Sequence, residues 1–199
     1  TIITVTSLAE ALQAKESGAD AICVQGIEAG GHRASFQNED VAEEISLCQL
    51  IKQVRREINL PIIAAGGIMT GQHIKDVLQA GANVAQLGTA FLCAEESGAN
   101  LVYKHALLSH TYTDTVMSRA FTGRLARGLR NTFTNQYAAL APKCYPAVHF
   151  MTQPIRKLAL VQQSPELMSM WAGVNFHLIK EGSAQTIMHE LMHEYNVAK

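Results

Sequence analysis

Residues 24–33 read VQGIEAGGHR, and the rest of the chain can be interpreted outward from this segment. It starts inside an apolar run, residues 21–24 (AICV), and then breaks into a loop with three glycines and one histidine. Such a strand end is typical of α/β proteins, in which loops at the carboxyl ends of parallel strands hold the ligand. Residues 64–67 (AAGG) and 86–89 (QLGT) repeat the pattern. We therefore interpret the three loops as one site.

The composition is that of one ordinary domain, with 199 residues, 48% hydrophobic and 17% charged, and a net charge of -1. Without a basic surplus, nucleic acid is not expected as a partner. Arg124, Arg127 and Arg130 are better explained by a solvated or phosphate-facing turn. No apolar run approaches the roughly 18 residues of a membrane span, and no signal peptide opens the chain. We therefore expect no membrane partner and a cytoplasmic location.

The cysteines Cys23, Cys48, Cys93 and Cys144 are scattered, with no close pair. Cys23 and Cys93 lie in apolar runs, which predicts buried thiols. We expect a reducing compartment without disulfides, and the lack of a C-x-x-C pair argues against a cysteine metal site.

The first ninety residues predict strands and helices in strict alternation, which is typical of βαβ units and a parallel sheet. Ser7 and Glu10 form a capping box, and Thr70 can cap a later helix. Residues 26–40 are expected to form a loop. The predicted strands are residues 1–5, 21–25, 62–65 and 84–87, and the predicted helices are residues 7–17, 45–58 and 70–78.

The remaining residues lack this alternation. The predicted elements are a helix over 94–108, a strand or extended segment over 114–121, a turn-rich basic loop over 123–130, an irregular segment over 142–154 and an amphipathic helix over 184–197. The last helix would place Ile187, Leu191 and Tyr195 on one side.

Four βα units are half of a (β/α)₈ barrel, which usually needs about 250 residues. The chain is therefore predicted to be either an open sheet or the second half of a barrel. Because it begins at Thr1 and not at methionine, we expect a processed product or a piece of something longer.

Two glycine-rich strand ends predict an anion site. Gly66 and Gly67 precede the helix that Thr70 caps, so backbone N–H groups and the helix dipole can bind a phosphate there. Gly88 and Thr89 follow the next strand, and barrels commonly bind phosphate on neighbouring loops of this kind. The alternative is a tight turn that merely requires glycine. Neither a P-loop nor a G-x-G-x-x-G motif is present.

Three polar side chains complete the predicted site. Gln25 and Gln86 end otherwise apolar strands, and their amides need partners, either a heteroaromatic ring such as flavin or nearby backbone. His32 follows two glycines, and its ordinary pKa suits proton abstraction near neutral pH. The alternative for His32 is a surface histidine.

Residues 189–193 (HELMH) match the H-E-x-x-H pattern of zinc peptidase helices. A third ligand is required, and the six residues after His193 offer none at the usual distance. We therefore expect no metal.

Four segments together resemble the nitronate monooxygenase family, formerly called 2-nitropropane dioxygenase, and the resemblance covers essentially the whole chain. They are Gln25-Gly26 with residues 28–33 (EAGGHR), residues 61–68 (PIIAAGGI), residues 86–91 (QLGTAF) and residues 118–131 (SRAFTGRLARGLRN).

The resemblance implies an FMN-dependent TIM barrel with an added smaller segment, which oxidises alkyl nitronates to carbonyl compounds and nitrite with O₂. It implies that His32 is the catalytic base that takes the proton from carbon when a nitroalkane is the substrate. The positions that match FMN contacts are Gln25, Gly30, Gly67, Gln86, Leu87, Gly88 and Thr89.

The chain departs from the family pattern because the first four βα units are absent. Residues 1–110 would be the second half of the FMN-binding barrel, and residues 111–199 a mostly helical C-terminal segment that packs on it. A half barrel exposes two sheet edges, so we expect pairing with another copy or with the missing half.

Other functions remain open. An FMN-dependent enoyl-acyl-carrier-protein reductase shares the EAGGH loop, and a non-catalytic flavin- or phosphate-binding half barrel would lack turnover. The sequence leaves open the chain length of the nitronate, and whether Arg33 or a residue of the C-terminal segment orients the nitro group.

Overall fold

The structure, a computed structural model, describes residues 1–38 and 44–198. The strands are β1 (Ile2–Val5), β2 (Ala21–Gln25), β3 (Gly31–His32), β4 (Ile62–Ala65), β5 (Val84–Gln86), β6 (Thr115–Ser118) and β7 (Ala126–Leu129). The helices are α1 (Leu8–Glu16), α2 (Leu47–Glu57), α3 (Gly71–Gln79), α4 (Leu101–Leu108), α5 (Thr132–Tyr137), α6 (Ala147–Val161) and α7 (Ala184–Val197). Short 3₁₀ helices are Thr89–Phe91, Pro165–Leu167 and Phe176–Leu178.

The predicted βα alternation is confirmed, with element ends within two residues of expectation. The four strands form one parallel sheet in the order β1-β2-β4-β5. Ser7 accepts a hydrogen bond from the Glu10 N–H, and Thr70 accepts one from the His73 N–H, so both residues cap their helices. The reciprocal half of the capping box predicted for Ser7 is replaced, because the Glu10 carboxylate accepts from the N–H and the hydroxyl of Thr6. Short links between parallel strands place the carboxyl ends of all four strands at one edge.

One face of this sheet forms the main core. Alternate strand residues such as Ile22, Val24 and Ile62 are fully buried against the apolar sides of α1, α2 and α3. On the other face, Val84 is 52% exposed, and β1 and β5 are edge strands. A sheet with helices on one face and open edges is what half of a (β/α)₈ barrel presents.

A second, antiparallel sheet in the order β3-β7-β6 corrects two predictions. A loop is predicted over residues 26–40, but Gly31 and His32 form a short strand that pairs with Arg127 and Ala126. Residues 39–40 of the predicted loop lie outside the described residues. The basic loop predicted over 123–130 contains β7, which pairs with both β3 and β6. Long-range pairing stabilises this strand, although its sequence ARGL lacks β-branched residues.

Two helix predictions also need correction. The helix predicted over 94–108 begins only at Leu101, because the Asn100 side chain accepts the Tyr103 N–H and caps it there. The segment predicted as irregular over 142–154 contains most of α6, which includes Pro154. Proline deprives the Phe150 carbonyl of its helical partner, and Phe150 is 63% exposed, so water can replace the bond.

The final helix, α7, packs along α3 and confirms the predicted amphipathic pattern, with Ile187 and Leu191 buried. The Gly71 N–H donates to Glu194 Oε2 at 2.8 Å.

Ala94 and Gly182 form a parallel bridge, so the chain between them leaves the βα layer and returns to it at the same place. The division at residue 110 stays a prediction. No helix in the described ranges is long and apolar enough to cross a bilayer.

Gly71→Ala tests the close approach of α3 and α7. A Cβ at Gly71 would lie 2.0 Å from the Tyr195 backbone nitrogen, so one helix must move. We expect the free energy of unfolding to fall by about 1–3 kcal/mol, measured by urea denaturation. Helix propensity alone would raise it by about 0.5–1 kcal/mol. Gly98→Ala is the control, because its Cβ would meet no heavy atom within 4 Å. A Gly71→Ala protein at least as stable as the wild type would contradict this packing.

Candidate active site

A cavity of about 140 Å³ lies at the carboxyl ends of β2, β4 and β5. It brings together the three glycine-containing loops of the sequence, and every predicted cofactor position except Leu87 lines it. Leu87 packs instead between the sheet and α7. The lining residues are Gln25, Ala29, Gly30, Ala65, Gly66, Gly67, Ile68, Met69, Gln86, Gly88 and Thr89.

The glycines give this cavity its shape. Gly67 has φ +66°, and a Cβ there would lie 2.8 Å from the Glu28 Cβ, so the backbone approaches that loop closely. At Gly88 the geometry is the opposite, because a Cβ would meet no heavy atom within 4 Å and would project into open space. Thr89, which begins the Thr89–Phe91 turn, lines the cavity, whereas at the start of α3 the Gly71 N–H donates to Glu194 and the His73 N–H to Thr70 Oγ1.

A loop from the C-terminal half, residues 172–175, contacts the three loops, and no motif predicts its position there. The Gly173 N–H donates to Thr89 Oγ1 at 3.0 Å, and Asn175 Nδ2 donates to the Gly67 oxygen at 2.7 Å. A Cβ at Gly30 would lie 2.5 Å from the Ala172 carbonyl carbon. Gly30 therefore allows two backbones to touch, in addition to lining the cavity.

The amides at the strand ends differ in their partners. Gln25 Nε2 donates to the His32 carbonyl at 3.0 Å, and Gln25 Oε1 accepts the Ala34 N–H at 2.9 Å. Gln25 therefore holds the segment that carries His32, which is the backbone alternative anticipated above. Gln86 is exposed, and among the described residues its side chain has only a long contact of 3.9 Å from the Cys23 thiol, which leaves its NH₂ group open there. A cofactor contact for either amide stays a prediction.

His32 is half-buried beside this edge of the sheet. Its Nε2 lies 2.9 Å from Thr122 Oγ1, and its ring contacts Trp171 and Tyr145 at centroid distances of 5.5 and 6.0 Å. Burial lowers the pKa of His32, and the nearby charges of Arg124, His149 and Arg156 lower it further. The imidazole is therefore neutral at pH 7 and able to accept a proton.

Comparison with known proteins identifies the family. A family model described as nitronate monooxygenase matches residues 1–194. A curated relative from Staphylococcus aureus (strain Newman), described as "Probable nitronate monooxygenase", is 38% identical over 197 residues. The chain belongs to the nitronate monooxygenase family. The alignment covers 97% of this chain and 55% of that relative, so the chain spans about half of its length.

Solved structures agree with this family membership. Nitroalkane oxidase from Streptomyces ansochromogenes is 42% identical with a TM-score of 0.95, covering 100% of this chain and 58% of that chain. FabK from Thermotoga maritima is 30% identical with a TM-score of 0.80, covering 98% of this chain and 60% of that chain. The expected family and the TIM-barrel-type α/β fold are confirmed.

Arg33 is structural in this member of the nitronate monooxygenase family. It is 4% exposed, and its guanidinium donates to the carbonyls of Gln25, Gly26 and Thr6 at 2.8, 2.9 and 3.0 Å. It therefore ties the ends of β1 and β2 together.

Two arginines of the basic cluster are also structural, which corrects for them the expectation of a solvated or phosphate-facing turn. Arg124 donates to the Arg33 carbonyl at 3.0 Å and to the Ser35 carbonyl, and Arg127 donates to the Ile27 carbonyl at 3.0 Å. These two arginines fasten the loop around His32 to the second sheet. Arg130 is exposed, as expected of a solvated residue, and pairs with Asp114 at 2.7 Å.

The charged and histidine residues of the HELMH sequence lie on the exposed side of α7, whereas its Leu191 is buried. Glu190 pairs with Lys180 at 2.9 Å, and His189 and His193 are exposed. Within the residues that the structure describes, no group of three or more His, Cys, Asp or Glu side chains could hold a metal ion.

The pKa of His32 can be measured by NMR, with its ring signals assigned by their loss in His32→Gln. We expect a value below the ordinary 6.5, since burial and neighbouring cations both disfavour the protonated ring. Arg124→Met removes one of those cations and should raise the pKa of His32. A wild-type value at or above 6.5 would mean that the ring is more solvated than this geometry allows.

Proposed function

We propose that this protein is an FMN-dependent nitronate monooxygenase, which oxidises alkyl nitronates and nitroalkanes to carbonyl compounds and nitrite with O₂. The observation that carries the proposal is a half-buried imidazole beside a glycine-lined cavity at the carboxyl edge of a parallel sheet. Family membership supports the same activity.

The cavity of about 140 Å³ suits the phosphate end of a flavin mononucleotide and not the whole molecule. Gly67, Gly88 and Thr89 would hold the phosphate, because the open space at Gly88 leaves room for an anion beside backbone N–H groups. Gln86, with its open amide, and Gln25 would contact the polar edge of the ring. When bound, the flavin supplies the redox chemistry between the substrate carbon and O₂.

His32 would act as the base toward nitroalkanes. The Thr122 hydroxyl can donate to the Arg124 carbonyl at 3.2 Å, which leaves its oxygen to accept a hydrogen bond from the His32 Nε2–H, at an N···O distance of 2.9 Å. This network favours the tautomer with the proton on Nε2, so Nδ1 is free to take the proton from carbon. A pre-formed nitronate has already lost that proton and does not need the base.

We also propose that residues 1–110 provide the cofactor side of the site and that residues 111–199 cover it. The strands β1 and β5 are open edges of the sheet, and Val84 of β5 is exposed. Both features support pairing with another copy or with a further barrel half.

Gly88→Ala tests the cofactor site. Its added methyl group meets no protein atom but enters the space assigned to the phosphate, so the fold should be unaffected. We expect flavin retention to fall by roughly tenfold or more, measured by the absorbance of the protein after incubation with FMN and removal of the excess. Gly98→Ala, whose methyl is equally free but distant from the cavity, is the matched control. Equal retention in both variants would exclude this placement.

His32→Ala tests the base. We expect nitroalkane oxidation to slow by roughly 10²-fold or more, while turnover of pre-formed nitronate changes less. Nitrite release measures both reactions. Equal losses on the two substrates would show that His32 binds substrate and does not abstract protons. NADH consumption with an enoyl thioester, without nitrite release from nitronates, would favour the reductase alternative.

A further inference from the structure

Helix α6 presents three polar residues to the segment that contacts His32. Thr152 Oγ1 donates to the Phe121 carbonyl at 2.5 Å, and Thr122, the next residue, is hydrogen-bonded to His32. His149 and Arg156 lie three residues before and four residues after Thr152, which places all three on one face of the helix. The α6 face therefore packs next to the candidate base.

Arg156 has a donor that the protein leaves unused. Its Nη2 donates to the His149 carbonyl at 2.8 Å and lies 3.3 Å from His149 Nδ1. Its Nε is buried, with no hydrogen-bond partner among the described residues. The Nε atom itself is covered by protein, whereas the side chain as a whole is half-buried. A charged group with an unmet donor is costly, and an anion beside its open nitrogens would offset that cost.

The charge around His32 is positive and incompletely balanced. Neither Arg124 nor Arg156 takes part in any of the ion pairs found in the described ranges. Both donate to backbone carbonyls, which leave their charges unneutralised. The charges of Arg124, His149 and Arg156 all act on the His32 ring. This environment suits an anion next to the imidazole.

We propose that Arg156, positioned by His149, binds the oxygens of the nitro or nitronate group in the site of the proposed function, on which this inference rests. A nitronate is planar and carries its charge on two oxygens, which matches the fork of donors on a guanidinium. When His32 takes the proton from carbon, the C–H electron pair forms the C=N bond and an N=O pair moves onto oxygen. Arg156 stabilises that developing charge.

Isobutyrate is a suitable probe, because it is a planar, unreactive anion of the size of propane-2-nitronate. Trp171 is the single tryptophan of the chain and contacts the His32 ring at 5.5 Å, so its fluorescence can report binding. We expect Arg156→Gln to weaken isobutyrate binding by roughly 10- to 100-fold and Arg156→Lys to weaken it less. Lys157→Gln, an exposed neighbour with the same change in charge, should bind like the wild type.

Unchanged isobutyrate binding in Arg156→Gln, with urea denaturation showing a folded protein, would overturn the proposal. Equal weakening by Lys157→Gln would overturn it too, because it would indicate a general effect of charge. Isobutyramide, the neutral analogue, should show no dependence on Arg156.

This test separates the anion site from the proposed activity. Loss of isobutyrate binding in Arg156→Gln, in a protein that releases no nitrite from nitronates, would support the anion site and reject the activity. Nitronate turnover with the same KM in Arg156→Gln as in the wild type would reject the role of Arg156 and keep the activity.

Discussion

The buried guanidinium of Arg33 is the interaction on which the candidate site depends. A charge with so little solvent contact is stable only when its donors are satisfied, and here three backbone carbonyls at the ends of β1 and β2 accept from it. Gln25 holds the same segment from the other side through the His32 carbonyl and the Ala34 N–H. His32 lies between these two attachments, so its position is fixed by the parallel sheet despite its place in a short strand outside that sheet.

The second sheet connects this segment to the C-terminal half of the chain. Pairing of β3 with β7 brings Thr122 and Arg124 to His32, and α6 and Trp171 complete its surroundings. The environment that lowers the pKa of the imidazole therefore comes from residues about ninety or more positions away in sequence. The glycine-lined cavity, by contrast, comes almost entirely from the first ninety residues.

This division explains what could be predicted from the sequence. The βα units were predictable because caps such as Ser7 and Thr70, and apolar periodicity, act locally. The cavity followed because parallel strands of known order place their ends together. Strand β7 was missed because long-range pairing overrides the weak strand propensity of ARGL, and α6 was missed because Pro154 normally interrupts a helix. Arg156 lies in that misassigned helix, so its proximity to His32 had no signal in the sequence.

The bridge between Ala94 and Gly182 has a consequence for how such proteins can change. The intervening chain carries the surroundings of His32, yet it enters and leaves the βα layer at a single point, where the Glu95 N–H also donates to the Gly182 carbonyl at 3.0 Å. The segment between Ala94 and Gly182 can become longer or shorter without altering the strand order of the parallel sheet, because long connections cost only a modest amount of entropy. Changes of length in this segment are therefore compatible with the βα layer as long as β7 and residues 172–175 keep their contacts with the loops at its edge.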